Sequence, residues 1–461
     1  MMKKDNICAL ATASGMGAIA VIRVSGPDAI ALCTPLFKSV KEGKSLLNQK
    51  THTIHLGTIM DGTQLVDEVL VSVFKGPNSY TGENIVEISC HGSNYIQQQI
   101  LQLLIKNGCR TAEPGEFTFR AFMNGKMDLS QAEAVADLIS SSNEKSHDLA
   151  LSQMRGGFSS EIQALRKELI KFASLIELEL DFSSEDVEFA DRKELDGLLN
   201  KLKMVLRKLV DSFALGNVLK NGIPVAIVGE PNVGKSTLLN ALLNEDRAIV
   251  SEIAGTTRDT IEDELVIDGM SFRFIDTAGI RETNDTIESI GIEKTFDKIK
   301  QSKVVLYLFD ASTANSEMVH AEILKLEEHT NGKQLIAVAN KVDKGYLPSI
   351  ESSFGDLPNV LFISAKHKNN VERLKELLTE KVKQGLLNND DVIISNSRHF
   401  EALTKALEHV VLVQEGLGIG VSGDLLAMDI RQSLHHLGEV TGEITTDDLL
   451  DSIFRDFCIG K

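Results

Sequence analysis

From Glu161 to about Asp181 apolar residues return at intervals of three and four: Ile162, Leu165, Leu169, Phe172, Leu175, Ile176 and Leu180. An α-helix of about 3.6 residues per turn gathers such positions into one stripe, so the stretch predicts a long amphipathic helix. Leu195 to Leu219, Phe400 to Leu417 and Leu425 to Leu437 repeat the pattern. Ser130-Gln131-Ala132-Glu133 has the form of a capping box ahead of Ala134, Val135, Leu138 and Ile139. Thr445-Thr446-Asp447-Asp448 has the same form ahead of Leu449, Leu450, Ile453 and Phe454. Elsewhere the apolar runs are short and continuous. Ala18–Val24, Val69–Phe74 and Ile85–Cys90 predict strands, and Ile96–Ile105 a helix, so residues 1–120 read as an α+β domain. Val225–Val228, Ser271–Ile275, Val304–Phe309, Leu335–Ala339 and Val360–Ile363 alternate with helical stretches, the pattern of a mostly parallel sheet with helices on both faces. The expected organisation is an N-terminal domain over 1–120, a helical domain built from 121–220 and 385–461, and a doubly wound α/β domain over 221–384 inserted into it with its two ends close together.

Composition narrows the setting. The chain has 461 residues, 43% of them hydrophobic, and no apolar run approaching the ~18 residues of a membrane span. The first residues, Met1 to Asn6, lead into an apolar patch too short and Gly-broken for a signal peptide. Cys8, Cys33, Cys90, Cys109 and Cys458 show no Cys-x-x-Cys spacing, which favours a reducing cytoplasm over a disulfide framework or structural zinc. A net charge of −18 repels a polyanion such as RNA, so action on nucleic acid requires a local basic patch or a basic partner.

The most informative stretch is Gly229-Glu230-Pro231-Asn232-Val233-Gly234-Lys235-Ser236, between the strand at Val225–Val228 and a helix starting near Thr237. Strand, Gly-rich loop and helix together make a P-loop. Its glycines let backbone N–H groups wrap phosphate oxygens, and the helix N-terminus adds a favourable dipole. Lys235 can reach the β and γ phosphates, and the Ser236 hydroxyl can hold Mg²⁺. Further motifs follow in order. Gly255-Thr256-Thr257-Arg258-Asp259 offers Thr257 to Mg²⁺ when a γ-phosphate is present, and Asp276-Thr277-Ala278-Gly279 offers Asp276 to the Mg²⁺ shell and the Gly279 N–H to that phosphate. In Asn340-Lys341-Val342-Asp343, the Asp343 carboxylate can accept from both N1–H and the exocyclic amine of guanine, and Ser364-Ala365-Lys366 can complete the base pocket. The set predicts a Ras-like P-loop GTPase domain. Ras-like GTPases carry Gln directly after Asp-Thr-Ala-Gly to orient water; here Ile280 stands there, so hydrolysis must recruit another polar group, an ion or a second chain. The Asn232 amide oxygen could hold a monovalent cation beside the phosphates, or the side chain could simply stabilise its turn.

Gly-Glu-Pro-Asn-Val-Gly-Lys-Ser, Ala-Gly-Thr-Thr-Arg-Asp at 254–259, Asp-Thr-Ala-Gly-Ile-Arg-Glu at 276–282 and the terminal Cys458-Ile459-Gly460-Lys461 closely resemble the MnmE/TrmE family of tRNA-modification GTPases. The likeness extends to Gly76-Pro77-Asn78-Ser79-Tyr80-Thr81-Gly82-Glu83 and Pro114-Gly115-Glu116-Phe117. It implies that the N-terminal domain binds a tetrahydrofolate derivative, 5-formyl- or methylene-tetrahydrofolate, and dimerises, with Arg23, Glu87, Lys126 and Lys461 at folate-contacting positions. By their residues alone, Arg23 and Glu87 could equally lie on a solvated strand face. The likeness also implies potassium-dependent dimerisation of the GTPase domains, with Asn232, Ser251, Ile253 and Thr256 at potassium-binding positions. The nucleotide would then be lined by Asn232, Val233, Gly234, Lys235, Ser236 and Thr237, by Ser251, Glu252, Ile253, Ala254, Gly255, Thr256 and Thr257, by Asp276, Thr277, Ala278 and Gly279, by Asn340, Lys341 and Asp343, and by Ser364, Ala365 and Lys366. Glu288 would help place the hydrolytic water, and Arg281 matches a switch position near the nucleotide. A flavin- and NADH-dependent partner of the MnmG/GidA type would join the chain in modifying C5 of the wobble uridine of certain tRNAs, and would supply the basic surface the chain lacks. Cys458 could act as a nucleophile at C6 of that uridine or could place the tail beside the folate. Two other readings use the same motifs: a regulatory RNA- or ribosome-associated GTPase switch without modification activity, and a folate-sensing scaffold.

Overall fold

A computed structural model describes residues 5–181, 191–243, 263–275, 299–330, 333–345, 347–354, 357, 360–385, 393–455 and 457–460. The chain divides into two compact units: 1–140 with 151–202 and 405–461, and 141–150 with 203–404.

The first unit is built on a sheet of β1 (Asn6–Leu10), β2 (Ile19–Gly26), β3 (Phe37–Ser39), β4 (Thr53–Asp61), β5 (Gln64–Phe74), β6 (Asn84–His91) and β7 (Cys109–Thr111), in the order β3-β4-β5-β6-β2-β1-β7. All pairs are antiparallel except β1–β7. Strand side chains alternate between faces. Ile22, Val24, Val71, Val73, Val86 and Ile88 therefore share one face, which is covered by α1 (Ala29–Cys33) and α2 (Asn94–Lys106) through Ile30, Ile100 and Leu104. The three predicted strands and the predicted helix of this region are all present, within β2, β5, β6 and α2.

The helices that follow are α3 (Glu116–Met123), α4 (Leu129–Ser140), α5 (Glu144–Met154), α6 (Ser159–Asp181) and α7 (Arg192–Asn221). The expected Ser130 cap is corrected. The helix already begins at Leu129, and the reciprocal box is Asp128 with Gln131. The Gln131 N–H donates to Asp128 Oδ1 at 2.9 Å, and the Asp128 N–H donates to Gln131 Oε1 at 2.9 Å. The spacing is that of a capping box, with Asp for Ser and Gln for Glu, set two residues earlier.

The second unit holds the α/β sheet: β8 (Ile223–Val228), β9 (Asp263–Ile267), β10 (Met270–Phe274), β11 (Val304–Asp310), β12 (Gln334–Asn340) and β13 (Val360–Phe362), in the order β13-β12-β11-β8-β10-β9. Only the β9–β10 hairpin is antiparallel. The helices after α7 are α8 (Lys235–Leu243), α9 (Ser316–Thr330), α10 (Leu347–Phe354), α11 (Val371–Gly385), α12 (Ser397–Ile419), α13 (Gly423–Thr441) and α14 (Asp447–Arg455). On one face of the sheet Val225, Ile227, Leu306 and Val338 meet α8 and α11 through Leu238, Leu242, Leu374 and Leu378. On the other, Ala226, Val305, Tyr307 and Phe309 meet α9 and α10 through Val319, Ile323 and Phe354. Burial on both faces explains why these strands read as unbroken apolar runs. The segments entering and leaving the sheet meet: Phe213 stacks on Phe400 with ring centroids 4.4 Å apart, and the Ile394 N–H donates to Ser212 Oγ at 3.1 Å.

In the first unit α13 packs on α6. Arg166 of α6 donates to the Leu434 carbonyl at 3.3 Å and pairs with Glu443. The expected Thr445 box is corrected by one residue: Thr446 caps α14 by accepting the Leu449 N–H at 3.3 Å, and Leu450, Phe454 and Phe457 close over Leu129 and Ala132.

One buried cation organises the junction of β1 with α3. Arg120 is 1% exposed and reaches Asp5 at 2.7 Å, Glu116 at 2.9 Å and Glu83 at 3.2 Å. Arg110 adds pairs to Asp5 at 2.8 Å and Glu116 at 2.5 Å. Burial pushes the Asp5 and Glu116 carboxyls up, but hydrogen bonds from Arg110 and Arg120 outweigh it and hold both below the usual carboxylate range. Because they titrate lower folded than unfolded, their contribution is complete above the ordinary carboxylate range and is lost as pH falls through their lowered folded values. Arg120→Ala leaves buried carboxylates without their partner and is expected to cost about 3–5 kcal/mol. Urea unfolding of the full chain followed by circular dichroism should show that loss at pH 7, together with a shallower loss of stability on acidification than in the wild type.

Candidate functional site

β8 ends at Val228 and α8 begins at Lys235, leaving a six-residue loop at the carboxyl end of a central strand, between neighbours β11 and β10. Ligands of open α/β sheets bind at such a place. Two of the loop's glycines are required by the space around them. A Cβ at Gly229 (φ 147°) would stand 2.0 Å from the Leu308 carbonyl oxygen, and one at Gly234 (φ 103°) would stand 2.4 Å from Asn340 Nδ2. Asn232 takes the left-handed conformation with φ 66°, which Asn tolerates better than most residues. Its carboxamide has no hydrogen-bond partner among the described residues. The turn is held instead through its backbone, whose carbonyl accepts from Lys341 Nζ at 2.6 Å.

Lys235 Nζ donates to the carbonyls of Gly229 (2.7 Å) and Glu230 (2.8 Å), so the ammonium stands inside the loop. Ser236 and Thr237 occupy the first turn of α8. Asn340, 2% exposed at the end of β12, joins this loop to the next. Its Nδ2 donates to the Val233 carbonyl at 2.8 Å, and its Oδ1 accepts the Ala365 N–H at 3.0 Å. Lys341 (φ 65°) pairs with Asp310 at 2.7 Å. Burial raises the Asp310 carboxyl, but this pairing and Ser312 hold it below its ordinary range.

Asp343 lies in a short 3₁₀ turn, Val342–Lys344. The Ser364 hydroxyl donates to its Oδ1 at 2.5 Å and holds the carboxyl low, so it presents as a carboxylate at neutral pH. Ser364 Oγ also accepts the His367 N–H at 3.3 Å, which fixes the Ser364-Ala365-Lys366 turn, with Lys366 exposed. The structure thus brings Asn232, Val233, Gly234, Lys235, Ser236 and Thr237 together with Asn340, Lys341, Asp343, Ser364 and Ala365. Ser251 to Thr257, Asp276 to Gly279, Arg281, Glu288 and Lys461 lie outside the described residues.

In the first unit a second constellation forms on the sheet face opposite the α1–α2 core. Arg23 and Glu87 are directly opposite each other in the β2–β6 register. Arg23 Nε lies 2.9 Å and Nη2 2.8 Å from Glu87 Oε1, and the two side chains are 16% and 25% exposed. Both side chains are therefore mostly buried rather than spread on an open solvated face. The guanidinium lies 5.5 Å from the Tyr80 ring centroid and 5.6 Å from that of Phe117. Its Nη1 donates to the Gly460 carbonyl at 3.4 Å, so the C-terminal segment reaches this arginine. Burial raises the Tyr80 hydroxyl, which shares a 2.8 Å hydrogen bond with Thr118. Lys126 Nζ donates to the Pro77 carbonyl at 2.9 Å. Cys458 is exposed, and its carbonyl accepts the Gly115 N–H at 3.3 Å. Tyr80, Phe117 and Thr118 were not singled out from the sequence. Their signal was the pair of Gly- and Pro-marked loops, 76–83 and 114–117, that carry the two rings.

The chain matches two family descriptions: GTP-binding protein TrmE N-terminus over residues 6–126 and MnmE helical domain over residues 129–458. Among curated proteins, the tRNA modification GTPase MnmE of Christiangramia forsetii is 63% identical, and that of Flavobacterium psychrophilum 60% identical, each over 100% of both chains. The protein of the same name from Bacteroides fragilis is 55% identical, again over the whole of both chains. With both family descriptions matched and relatives identical at 55–63% over the whole chain, the chain belongs to the MnmE/TrmE family.

Proposed function

We propose that this protein is a GTP-hydrolysing enzyme of tRNA modification, activated by potassium, which works with a flavin-dependent partner of the MnmG/GidA type on C5 of the wobble uridine. Family membership supports the coarse reading. The observation that supports potassium activation is the Asn232 carboxamide, held in the phosphate loop by Lys341 through its backbone and with no hydrogen bond of its own among the described residues; the flavin partner and the wobble uridine follow from the family resemblance. A turn-stabilising role would engage that side chain; an ion-binding role leaves it available.

The loop suits a triphosphate because it ends at the N-terminus of α8, whose first-turn N–H groups and dipole favour an anion. Lys235 is placed to exchange loop carbonyls for phosphate oxygens. Ser236 and Thr257 would hold Mg²⁺, and Asn232 with Ser251, Ile253 and Thr256 would hold K⁺. Bound there, K⁺ supplies positive charge where negative charge grows during phosphoryl transfer. Glu288 would place water in the stead of the glutamine replaced by Ile280, with Arg281 near the nucleotide. Asp343, oriented by Ser364, would read guanine.

The N-terminal pocket fits a tetrahydrofolate derivative. Arg23 and Glu87 offer complementary hydrogen-bonding groups, Tyr80 and Phe117 offer ring faces, and Lys126 and Lys461 add positive charge for a glutamyl carboxylate. Such a cofactor supplies a one-carbon unit. A homodimer through this domain and a basic partner would reconcile the −18 charge with an RNA substrate. Mass spectrometry of wobble uridines from cells lacking the gene tests the whole reading: loss of the C5 modification is expected, and an unchanged pattern points to a regulatory switch.

GTP turnover in K⁺ should exceed that in Na⁺ by at least about tenfold, and Asn232→Ala should remove the difference while retaining GDP binding. Asp343→Asn exchanges an acceptor for a donor. Guanine-nucleotide affinity should fall at least about 100-fold while xanthine-nucleotide affinity rises, read by fluorescent-nucleotide titration. Arg23→Ala should weaken 5-formyl-tetrahydrofolate binding at least tenfold by calorimetry, with GTP turnover unchanged.

A further inference from the structure

The nucleotide and folate readings leave one group of titratable side chains unused. On α13, His435, His436 and Glu439 stand at positions i, i+1 and i+4. Glu439 therefore lies one turn from both imidazoles and engages each with a different oxygen. His436 Nδ1 is 2.9 Å from Glu439 Oε2, and His435 Nε2 is 3.4 Å from Oε1. The three donor atoms all lie within 4.8 Å of one another. His409 of α12 stacks on His436 with ring centroids 5.9 Å apart and planes 21° from parallel, and its own Nδ1 is held 3.0 Å from Asp429. His436 is thus fixed from two sides, by a neighbouring ring and by its carboxylate. His435 stands at the open edge, 47% exposed against 15% for His436.

We propose that His435, His436 and Glu439 form a binding site for a divalent first-row transition metal, zinc foremost, independent of the ions that accompany the nucleotide. Two imidazole nitrogens and one carboxylate oxygen are a borderline-soft donor set, one that zinc takes up at distances of about 2.0–2.2 Å. Mg²⁺ and Ca²⁺ prefer all-oxygen shells and do not compete well for it. Donors around such an ion stand roughly 3.4 Å apart in tetrahedral geometry. The His435 contact, at 3.4 Å, already matches that separation, the His436 contact, at 2.9 Å, lies about half an ångström inside it, and small side-chain rotations of the exposed His435 and of Glu439 bring the set into register. Three protein ligands at a surface leave the remaining coordination position to water or to an anionic group of a bound partner. His409 and Asp429 act as positioning residues: the carboxylate orients one imidazole, and that ring holds the next. The plainer role of the same residues, a pair of weak helix-surface contacts, predicts no uptake of metal.

Equilibrium dialysis of the full-length, chelator-stripped protein against micromolar Zn²⁺, with metal quantified by mass spectrometry, separates the two. Because Cys458 is exposed and could bind zinc by itself, every sample carries C458S. The expected result is one zinc per chain, retained in excess Mg²⁺. His436→Gln, which keeps an amide N–H for Glu439, and Glu439→Gln should each weaken uptake at least tenfold, with unchanged circular dichroism. Co²⁺ should give visible ligand-field bands in the parent that neither variant shows. Equal zinc uptake by parent and variants, or none by the parent, overturns the proposal.

Discussion

A single buried carboxamide sets the geometry on which the α/β unit's site depends. Asn340 donates to the phosphate loop at Val233 and accepts from the base-side loop at Ala365, with almost no solvent access. Two loops separated by more than a hundred residues are thereby set at a fixed spacing. A buried amide stripped of one partner costs about 1–3 kcal/mol, so neither loop shifts cheaply on its own. The absence of a side chain at Gly234 is the other half of the arrangement, since any Cβ there would displace the Asn340 amide. Lys341 extends the tie by bridging the Asn232 carbonyl and Asp310. The site that follows is stiff along its backbone and polar at its surface, which suits a charged ligand.

The first unit uses two arginines to opposite ends. Arg120 is enclosed by Asp5, Glu83 and Glu116, and its N–H groups are taken up within the protein; it cements β1 to α3. Arg23 is held on one edge by Glu87, lies between the Tyr80 and Phe117 rings, and makes only a long contact with the Gly460 carbonyl. The first is fully paired within the protein, while the second keeps part of its guanidinium beside aromatic faces. Both read alike in sequence, as single charges among apolar residues.

That difference shows where sequence reasoning ends. The helices and the buried strands were legible because period and run length are local properties that packing then confirmed on both sheet faces. The phosphate loop was legible because its glycines answer to nearby atoms, the Leu308 carbonyl and the Asn340 amide. The α4 cap was misplaced by two residues because Ser-x-x-Glu and Asp-x-x-Gln overlap in the same stretch, and hydrogen-bond geometry alone chose between them. That Arg23 is packed beside rings rather than turned to open water depends on residues about 60 and 90 positions away in Tyr80 and Phe117, and on a strand register no local pattern encodes. His435 and His436 passed unnoticed because a His pair on a helix says nothing until its carboxylate and its stacking neighbour are seen.

The division of the first unit into segments 1–140, 151–202 and 405–461 bears on how the protein is made. Helix α6 emerges from the ribosome long before α13, the helix it packs against. The 202 residues of 203–404 must be translated in between. At about 5–20 residues per second that is roughly 10–40 s during which the apolar stripe of α6 has no mate. The intervening unit has its own sheet and two hydrophobic layers, and can close first. Completion of the earlier-made half therefore waits for the later-made one, and a nascent chain stalled before residue 405 would leave Ile162, Leu169 and Ile176 for chaperones to shield.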